Sequence, residues 1–482
     1  GVQTCALPIF PLSAAQQRMW FLRQLEGQET TYHIPLARRL RGPLDVDALR
    51  LAVADLLDRH ESLRTIFPEE GGLPWQEVLT LEPLKIPFTL AAIREEDLAE
   101  ALATAVAQPF DLARELPVRF HLWQLAPDEH ALLILVHHIA ADGTSLIPLW
   151  RDLSQAYQTR LERATPAWQP LPVQYADYTL WQQRWLGNTA EAGSLLARET
   201  AFWRQALADL PEELALPTDR PRPRVSSYRG GAVALEVSAE LANRLRQLAS
   251  EEQASLFMVL QGALAVLLSR LGAGTDIPLG TPIAGRLDDA LHDQVGFYVN
   301  TLVTRTDLSG EPSFREVLRR VREFDLAAFA HQELPFEQLV QELQPTRSMA
   351  RHPLFQILLV LQNTGLRQET LAGLTLSDLP VPHATAKFDL LWNVEERREG
   401  GLTGTLEYAA DLYDRESALT LVERFQQVLE QLTQEPDRAV VQIRVLLDRE
   451  ARQLADWSRG PSPIPCSLGL DGRFTRQVAA NP

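Results

Sequence analysis

Cysteine is nearly absent from the 482 residues: Cys5 and Cys466 stand alone. No disulfide framework and no metal-ligand spacing can be built from them, and a reducing, cytoplasmic setting is the simplest expectation. Lysine is as scarce, since the basic residues are almost all Arg, with Lys85 and Lys387 as exceptions. Long apolar runs are missing too. Stretches such as ALLILV at 131–136 fall well short of the ~18 residues a membrane span needs. The opening GVQTCALPIF has no basic segment ahead of its apolar residues, so it does not read as a secretory signal. Residues 1–9 read instead as a non-native leader joined to a frame that begins near Phe10. Positive charge is also in deficit: the formal net charge is −17. That argues against nucleic acid and against anionic membrane as partners, and says nothing about fold.

What is present describes a globular protein: 45% apolar and 23% charged residues. The length exceeds one ordinary core, so two or more folding units are expected. LDVDALRLAVADLLDRH (44–60) repeats apolar residues at helical spacing behind Asp45, a capping residue. VRFHLWQL (118–125) and ALLILVHH (131–138) flank Pro127-Asp128 and read as a hairpin or as neighbouring strands. TSLIPLWRDLSQAYQ (144–158) is an amphipathic helix capped by Thr144 or Ser145. A turn-rich region, LPTDRPRPRVSSYRGG, then precedes a second mixed unit. There GAVALEV is a strand, Ser238 caps a helix, and ASLFMVLQGALAVLLSRL (254–271) is a nearly all-apolar helix, hence buried. DIPLGTPI and GFYVNTLVTRTDL read as strands, SFREVLRRVREFDLAAFA as a helix, LFQILLVLQN as a strand and ESALTLVERFQQVLEQL as a late helix. The final WSRGPSPIPCSLGLDGRF reads as a linker.

One stretch carries chemistry: LVHHIAADGTSL, residues 135–146. Two histidines close an apolar run, and Asp142-Gly143 follows. Neighbouring residues of a strand point to opposite faces, so His137 and His138 cannot chelate one ion, and no metal site is expected. No Gly-x-Ser-x-Gly nucleophile is present, which excludes that form of hydrolase. A base, a local anion and an accessible N–H at Gly143 suit acyl transfer. A packed, hydrogen-bonded histidine at the end of a strand is the commoner arrangement, and periodicity does not separate the two.

The stretch matches the HHxxxDG pattern and resembles the condensation domains of nonribosomal peptide synthetases, in a superfamily that includes chloramphenicol acetyltransferase. Six further segments resemble the family's motifs, in order: LSAAQQRMWFL (12–22), RHESLRTIF (59–67), YADYTLWQ (175–182), VGFYVNTLVTR (295–305), HQELPFEQLV (331–340) and RSMARHPLFQ (347–356). The likeness covers roughly residues 10–450. Val136 and Arg351-His352 depart mildly from the usual residues, and neither touches the proposed chemistry.

The resemblance implies an α/β (α+β) fold of two chloramphenicol-acetyltransferase-like lobes, a V-shaped pseudo-dimer around a central tunnel. The lobes are then residues 10–180 and 181–450. Residues 451–482 become a linker and the truncated start of an adenylation domain. It further implies that His138 lies in the tunnel as the catalytic group, with Gly143 N–H facing the developing oxyanion. His137 holds the loop. Asp142 is structural, paired with Arg286 or, alternatively, Arg64. Tyr175 and Asn300 line the tunnel, whereas Trp20, Phe67 and Phe336 are core. The implied reaction joins a donor thioester to an acceptor amine, both carried on the 4'-phosphopantetheine of upstream and downstream peptidyl carrier domains, with no cofactor bound directly. RHESLRTIF and HHIAADGTSL look more like the subtype taking L-configured donors. A heterocyclisation domain would carry aspartates in place of the histidines. An epimerisation domain, a coenzyme A-dependent acyltransferase and a non-catalytic carrier-docking scaffold are the other readings.

Overall fold

A computed structural model of the chain describes residues 9–26, 29–80, 86–188, 191, 193–346, 348–362, 370–381, 385–459 and 469–480. In the first half, α1 (Ala14–Glu26) precedes β1 (His33–Arg41) and α2 (Val46–Arg59). Then come β2 (Phe88–Ala92), α3 (Leu98–Ala107), β3 (Val118–Ala126), β4 (Glu129–His137), α4 (Leu146–Leu161), α5 (Tyr175–Leu186) and α6 (Leu195–Ala206). The second half holds β5 (Gly230–Val237), α7 (Ala239–Glu251), α8 (Leu256–Leu268), β6 (Asp276–Ile283), β7 (Asn300–Asp307), α9 (Phe314–Ala330) and α10 (Phe336–Leu343). It continues with β8 (Ile357–Gln362), β9 (Thr375–Asp378), β10 (Leu390–Glu396), β11 (Leu402–Ala409), α11 (Arg415–Gln434), α12 (Asp448–Ser458) and α13 (Leu470–Ala480).

Two mixed sheets organise the chain. The first runs β9-β1-β4-β3-β2, and the second runs β5-β11-β10-β8-β6-β7. β3 and β4 form the expected hairpin, with Val118 opposite Val136. From Ala131 to His137 β4 is buried along its whole length, as befits a strand at the centre of its sheet and covered on both faces. Asp45 caps α2 by accepting the Ala48 N–H, and Ser238 caps α7 by accepting that of Leu241. The helix Leu256–Ala273 is long and apolar enough to cross a membrane, but most of it lies inside the second core. It is a core helix.

Several boundaries differ from the expectations. A division at 180/181 cuts the continuous helix α5. It also leaves β9 with the second half, although β9 pairs antiparallel with β1 at the edge of the first sheet. Leu291, Val295, Phe297 and Tyr298 likewise pack into the first core. The two halves therefore exchange chain, which sequence patterning does not register because each short segment is apolar in either setting. GFYVNTLVTRTDL is strand only from Asn300 onward; residues 296–299 form a loop whose N–H groups are needed elsewhere. In the tail, the expected linker includes the end of α12 and the start of α13. Residues 460–468, with Cys466, lie outside the described residues, as do Lys85 and residues 1–8 with Cys5. Ile9 belongs to a short strand and pairs with Glu77.

Candidate active site

β4 ends at His137, and the alternation of a strand separates the two imidazoles. His137 turns into the first half. Its Nδ1 accepts the Ile139 N–H at 3.1 Å, and its ring meets His33 and Phe110 edge-on, with centroids 6.0 and 5.9 Å away. It fixes the turn after the strand. His138 faces the other way and lines a cavity of about 2170 Å³ whose walls come from both halves of the chain. Its backbone N–H donates to Tyr32 O at 2.8 Å, and its ring meets Phe297 at 4.9 Å.

Nδ1 of His138 is the buried nitrogen and forms no hydrogen bond with the described residues, which leaves Nε2 for the cavity. Burial first, and then the positive charge of Lys387, bring the His138 pKa down to about 4. Asp142 and the carbonyls of His138 and Ala141 oppose this in part. At neutral pH the ring is therefore an uncharged base.

Asp142 makes no hydrogen bond to the His138 ring; its bonds run to the scaffold. Oδ1 accepts the Ser145 N–H and Oγ–H, each at 2.8 Å, and Arg286 Nη2 at 3.2 Å. Oδ2 accepts the N–H groups of Tyr298 and Val299 at 2.9 and 3.2 Å. Those last two donors explain why residues 296–299 are not strand: their amides bind a carboxylate across the two halves. A buried carboxylate needs such partners, because an unpaired ion in the interior is strongly disfavoured.

Arg286 completes the arrangement. It donates through Nη2 to Ser145 Oγ at 2.8 Å and through Nη1 to Gln294 O at 2.9 Å and to Leu291 O. Its guanidinium lies 4.2 Å from the centre of the Tyr298 ring. Gly285 precedes it at φ +65°, and a Cβ there would collide with Tyr298 O. Only glycine turns the chain back so closely.

Of the two partners expected for Asp142, Arg286 is therefore the one the structure brings to it. Arg64 is occupied elsewhere, donating to Leu79 O at 2.7 Å and to Glu61 at 3.3 Å. Ser145 does precede α4 as expected, but it forms no capping bond. Its hydroxyl serves the Asp142–Arg286 pair and Gly296 instead. That role was not visible in the sequence, where Ser145 read only as a cap.

Gly143 lines the cavity, and a Cβ built on it meets nothing within 4 Å. Its N–H makes no hydrogen bond among the described residues. Asn300 also lines the cavity, yet its amide is committed: Nδ2 donates to Gln332 O and Leu334 O at 3.0 and 2.8 Å, and Oδ1 accepts the Phe336 N–H at 3.0 Å. It pins the loop before α10. Tyr175 does not line the large cavity. It is buried with its hydroxyl bonded to Phe297 O and Ser13 Oγ at 2.8 and 2.9 Å, beside a separate void of about 40 Å³. A carbonyl and a hydroxyl partner suit a phenol at a packed junction better than at a wet wall. Phe67 and Phe336 are core, Phe336 also bordering the cavity, and Trp20 is a partly buried wall residue packed against the first core. Lys387 was noted only as a rare residue; its place beside His138 depends on a contact between distant parts of the chain.

Residues 8–455 match the family described as "Condensation domain". The chain belongs to that family. It is similar to a dimodular nonribosomal peptide synthase of Bacillus subtilis (strain 168), 48% identical over 98% of this chain. The alignment covers 20% of that relative, so the chain spans about a fifth of its length. Among solved structures, the X-domain in the complex of the X-domain and OxyB from teicoplanin biosynthesis is 37% identical, with TM-score 0.85, covering 93% of this chain and 98% of that one. The first condensation domain of the calcium-dependent antibiotic synthetase, in complex with a substrate analogue, has TM-score 0.74 at 21% identity, over 91% and 99% of the two chains. That likeness speaks for the fold. The fold is chloramphenicol-acetyltransferase-like, and the chain is a condensation domain of the nonribosomal peptide synthetase kind, an acyltransferase class that forms amide bonds.

Proposed function

We propose that this condensation domain joins a donor aminoacyl or peptidyl thioester to the amine of an acceptor amino acid, with His138 as the proton acceptor. Both substrates are carried on the phosphopantetheine arms of carrier domains. A downstream adenylation domain in the same chain and a cytoplasmic setting complete the reading. One observation carries it: the uncharged ring of His138 opens onto a cavity shared by both halves, while the neighbouring anion is locked into scaffold.

The reaction follows from that placement. The amine nitrogen attacks the thioester carbon, a C–N bond forms, and the carbonyl oxygen takes up negative charge. Gly143 lines the cavity, and its N–H, unbonded among the described residues, is suited to donate to that oxygen. The amine proton passes to His138 Nε2. Collapse breaks the C–S bond, and the proton goes to the leaving sulfur, giving a free thiol. An α-amine has a pKa of about 7.7–8.0, so removing a proton before attack gains little near neutrality. Accepting it as the adduct forms, and holding the amine in line, gain more.

The subtype that takes L-configured donors remains the reading of RHESLRTIF and HHIAADGTSL. Incubation with loaded donor and acceptor carriers, read by mass spectrometry, tests the whole. Wild-type protein should yield the amide, and His138→Ala should lower the rate about 10²–10⁴-fold with little loss of folding. His137→Ala should act through stability. A second reading, a docking scaffold without chemistry, is favoured by the X-domain, which was solved in complex with OxyB. No product from folded wild-type protein would select it.

A further inference from the structure

The two histidine rings are fixed by different means. His137 accepts the Ile139 N–H at Nδ1, so a hydrogen bond sets its ring. His138 has no such bond: its buried Nδ1 finds no partner among the described residues. A ring without a hydrogen bond is held by packing, and the one aromatic contact of His138 among the described residues is Phe297, at 4.9 Å with 65° between the planes. Rings prefer that edge-to-face arrangement. Phe297 belongs to a segment of the second half whose backbone is bound, step by step, by side chains of the first. Val295 N–H donates to His60 Nδ1 at 3.4 Å, and Val295 O accepts the Ser62 hydroxyl at 2.7 Å. His60 is itself set by donating Nε2–H to Asp152 at 2.9 Å. Gly296 N–H donates to Ser145 Oγ at 3.1 Å. A Cβ on Gly296 would strike the Tyr175 ring, so the segment is pressed against its neighbours. Phe297 O accepts the Tyr175 hydroxyl, and the next two N–H groups go to Asp142. Residues 295–299 are thus all tied down, and Phe297 is the ring they carry to the cavity wall beside His138.

We propose that Phe297 is a positioning residue: the bonded segment plants its ring against His138 and so keeps Nε2 turned toward the cavity. This rests on the amide-forming reading above, which needs that nitrogen in line with the attacking amine. A packing contact orients a ring only where the opposing ring is itself immobile, and the bonds at 295–299 supply that immobility. The alternation of the strand turns His137 away, so it cannot do the same. Asp142 makes no bond to the His138 ring, yet it holds the two amides that follow Phe297. It therefore acts on His138 through that ring.

Condensation of loaded carriers, with kcat and KM read separately, tests this in wild type, Phe297→Leu and Phe297→Tyr. Leucine keeps an apolar side chain and loses the ring, whereas tyrosine keeps the ring. Phe297→Leu should lower kcat about 10-fold or more and leave KM within about twofold. Phe297→Tyr should retain most of the wild-type kcat. Where Phe297→Leu does not fold, Phe297→Met takes its place. In parallel, carbon-13 relaxation of labelled histidine rings measures their order in protein without substrate, assigned through His138→Ala and His137→Gln. Both rings should be rigid in wild type. In Phe297→Leu the His138 ring should become mobile while His137 stays ordered, and Phe297→Tyr should keep both rigid. Equal loosening of His137 would mark a merely structural role and overturn the proposal. So would an unchanged kcat or unchanged His138 order in Phe297→Leu, or a loss that Phe297→Tyr shares. If wild type forms no amide at all, the reaction reading fails, and the relaxation of substrate-free protein still decides whether Phe297 holds the His138 ring.

Discussion

Two of the ion pairs that join the halves of this protein, Asp142–Arg286 and Arg18–Glu337, differ in nearly everything but sign. Asp142 and Arg286 meet at 3.2 Å with each side chain only 2% exposed. Arg18 and Glu337 meet at 3.4 Å with side chains 27% and 17% exposed. The first pair is knitted into backbone: the carboxylate takes two N–H groups of the second half, and the guanidinium takes two carbonyls. The second pair lies between α1 and α10 at the cavity wall, where Arg18 also meets His352 at 3.0 Å and the Phe336 ring at 5.0 Å. Geometry at His138 depends on the pair that water cannot reach. The pair at the wall can exchange partners with solvent.

The largest effect should therefore come from Asp142. Asp142→Ala leaves Arg286 buried and uncompensated, and strands Tyr298 and Val299 N–H. Removing one partner of a buried pair costs roughly 3–5 kcal/mol, a large share of a domain's ~5–15 kcal/mol. Unfolding by denaturant should show that loss, and Arg286→Ala should show a similar one. The double substitution should be far less harmful than the sum. Additive losses would show that the two residues act separately, and the comparison of pairs would lose its first member.

Much of this was legible beforehand. Asp142 sits next to the histidines, and a buried carboxylate demands a cation, so an Arg partner could be expected; the choice between Arg286 and Arg64 needed coordinates. The alternation of a strand separated His137 from His138 correctly. Tyr175 and Asn300 were harder, because a motif says that a residue matters and not whether its polar atoms face a void. Tyr175 gives its hydroxyl to Phe297 and Ser13, and Asn300 gives its amide to a loop. The exchange of β9 into the first sheet was illegible, since four residues of TLSD carry no address. Lys387 stood out by rarity alone.

The next effect is one of pH. The folded pKa of His138 is about 4, and the unfolded value is about 6.5. As pH falls below 6.5 the unfolded chain binds the proton first, so stability is lost from there down to about 4 and no further through this group. The loss attributable to His138 at pH 4.5 should be about 2–3 kcal/mol. His138→Ala should narrow the gap in unfolding free energy between pH 7 and pH 4.5 by that order. An unchanged gap would mean that His138 titrates normally and is not held uncharged by its surroundings. Asp142 and Arg286 would then be holding a histidine without setting its state.

Arg18 should matter least to stability. A partly exposed ion pair contributes about 0–1 kcal/mol, because both ions keep water when parted. Its stacking on Phe336 adds about 0.5–1 kcal/mol at such a site. Arg18→Met keeps much of the apolar contact and removes the charge, so the loss at pH 7 should stay near or below about 1 kcal/mol. The substitution has a second consequence. Burial, with the Arg18 charge behind it, pushes His352 down to about 3. Without Arg18 the ring should accept a proton at higher pH, so the mutant should lose less stability on acidification than wild type. Denaturation of Arg18→Met at pH 7 and pH 4.5 reads both quantities. A loss at pH 7 as large as that of Asp142→Ala would remove the distinction between the buried pair and the one at the wall. A small loss at pH 7 with a narrowed acid gap would sharpen it, because Arg18 would then act on His352 through charge while Asp142 acts on its loop through bonds.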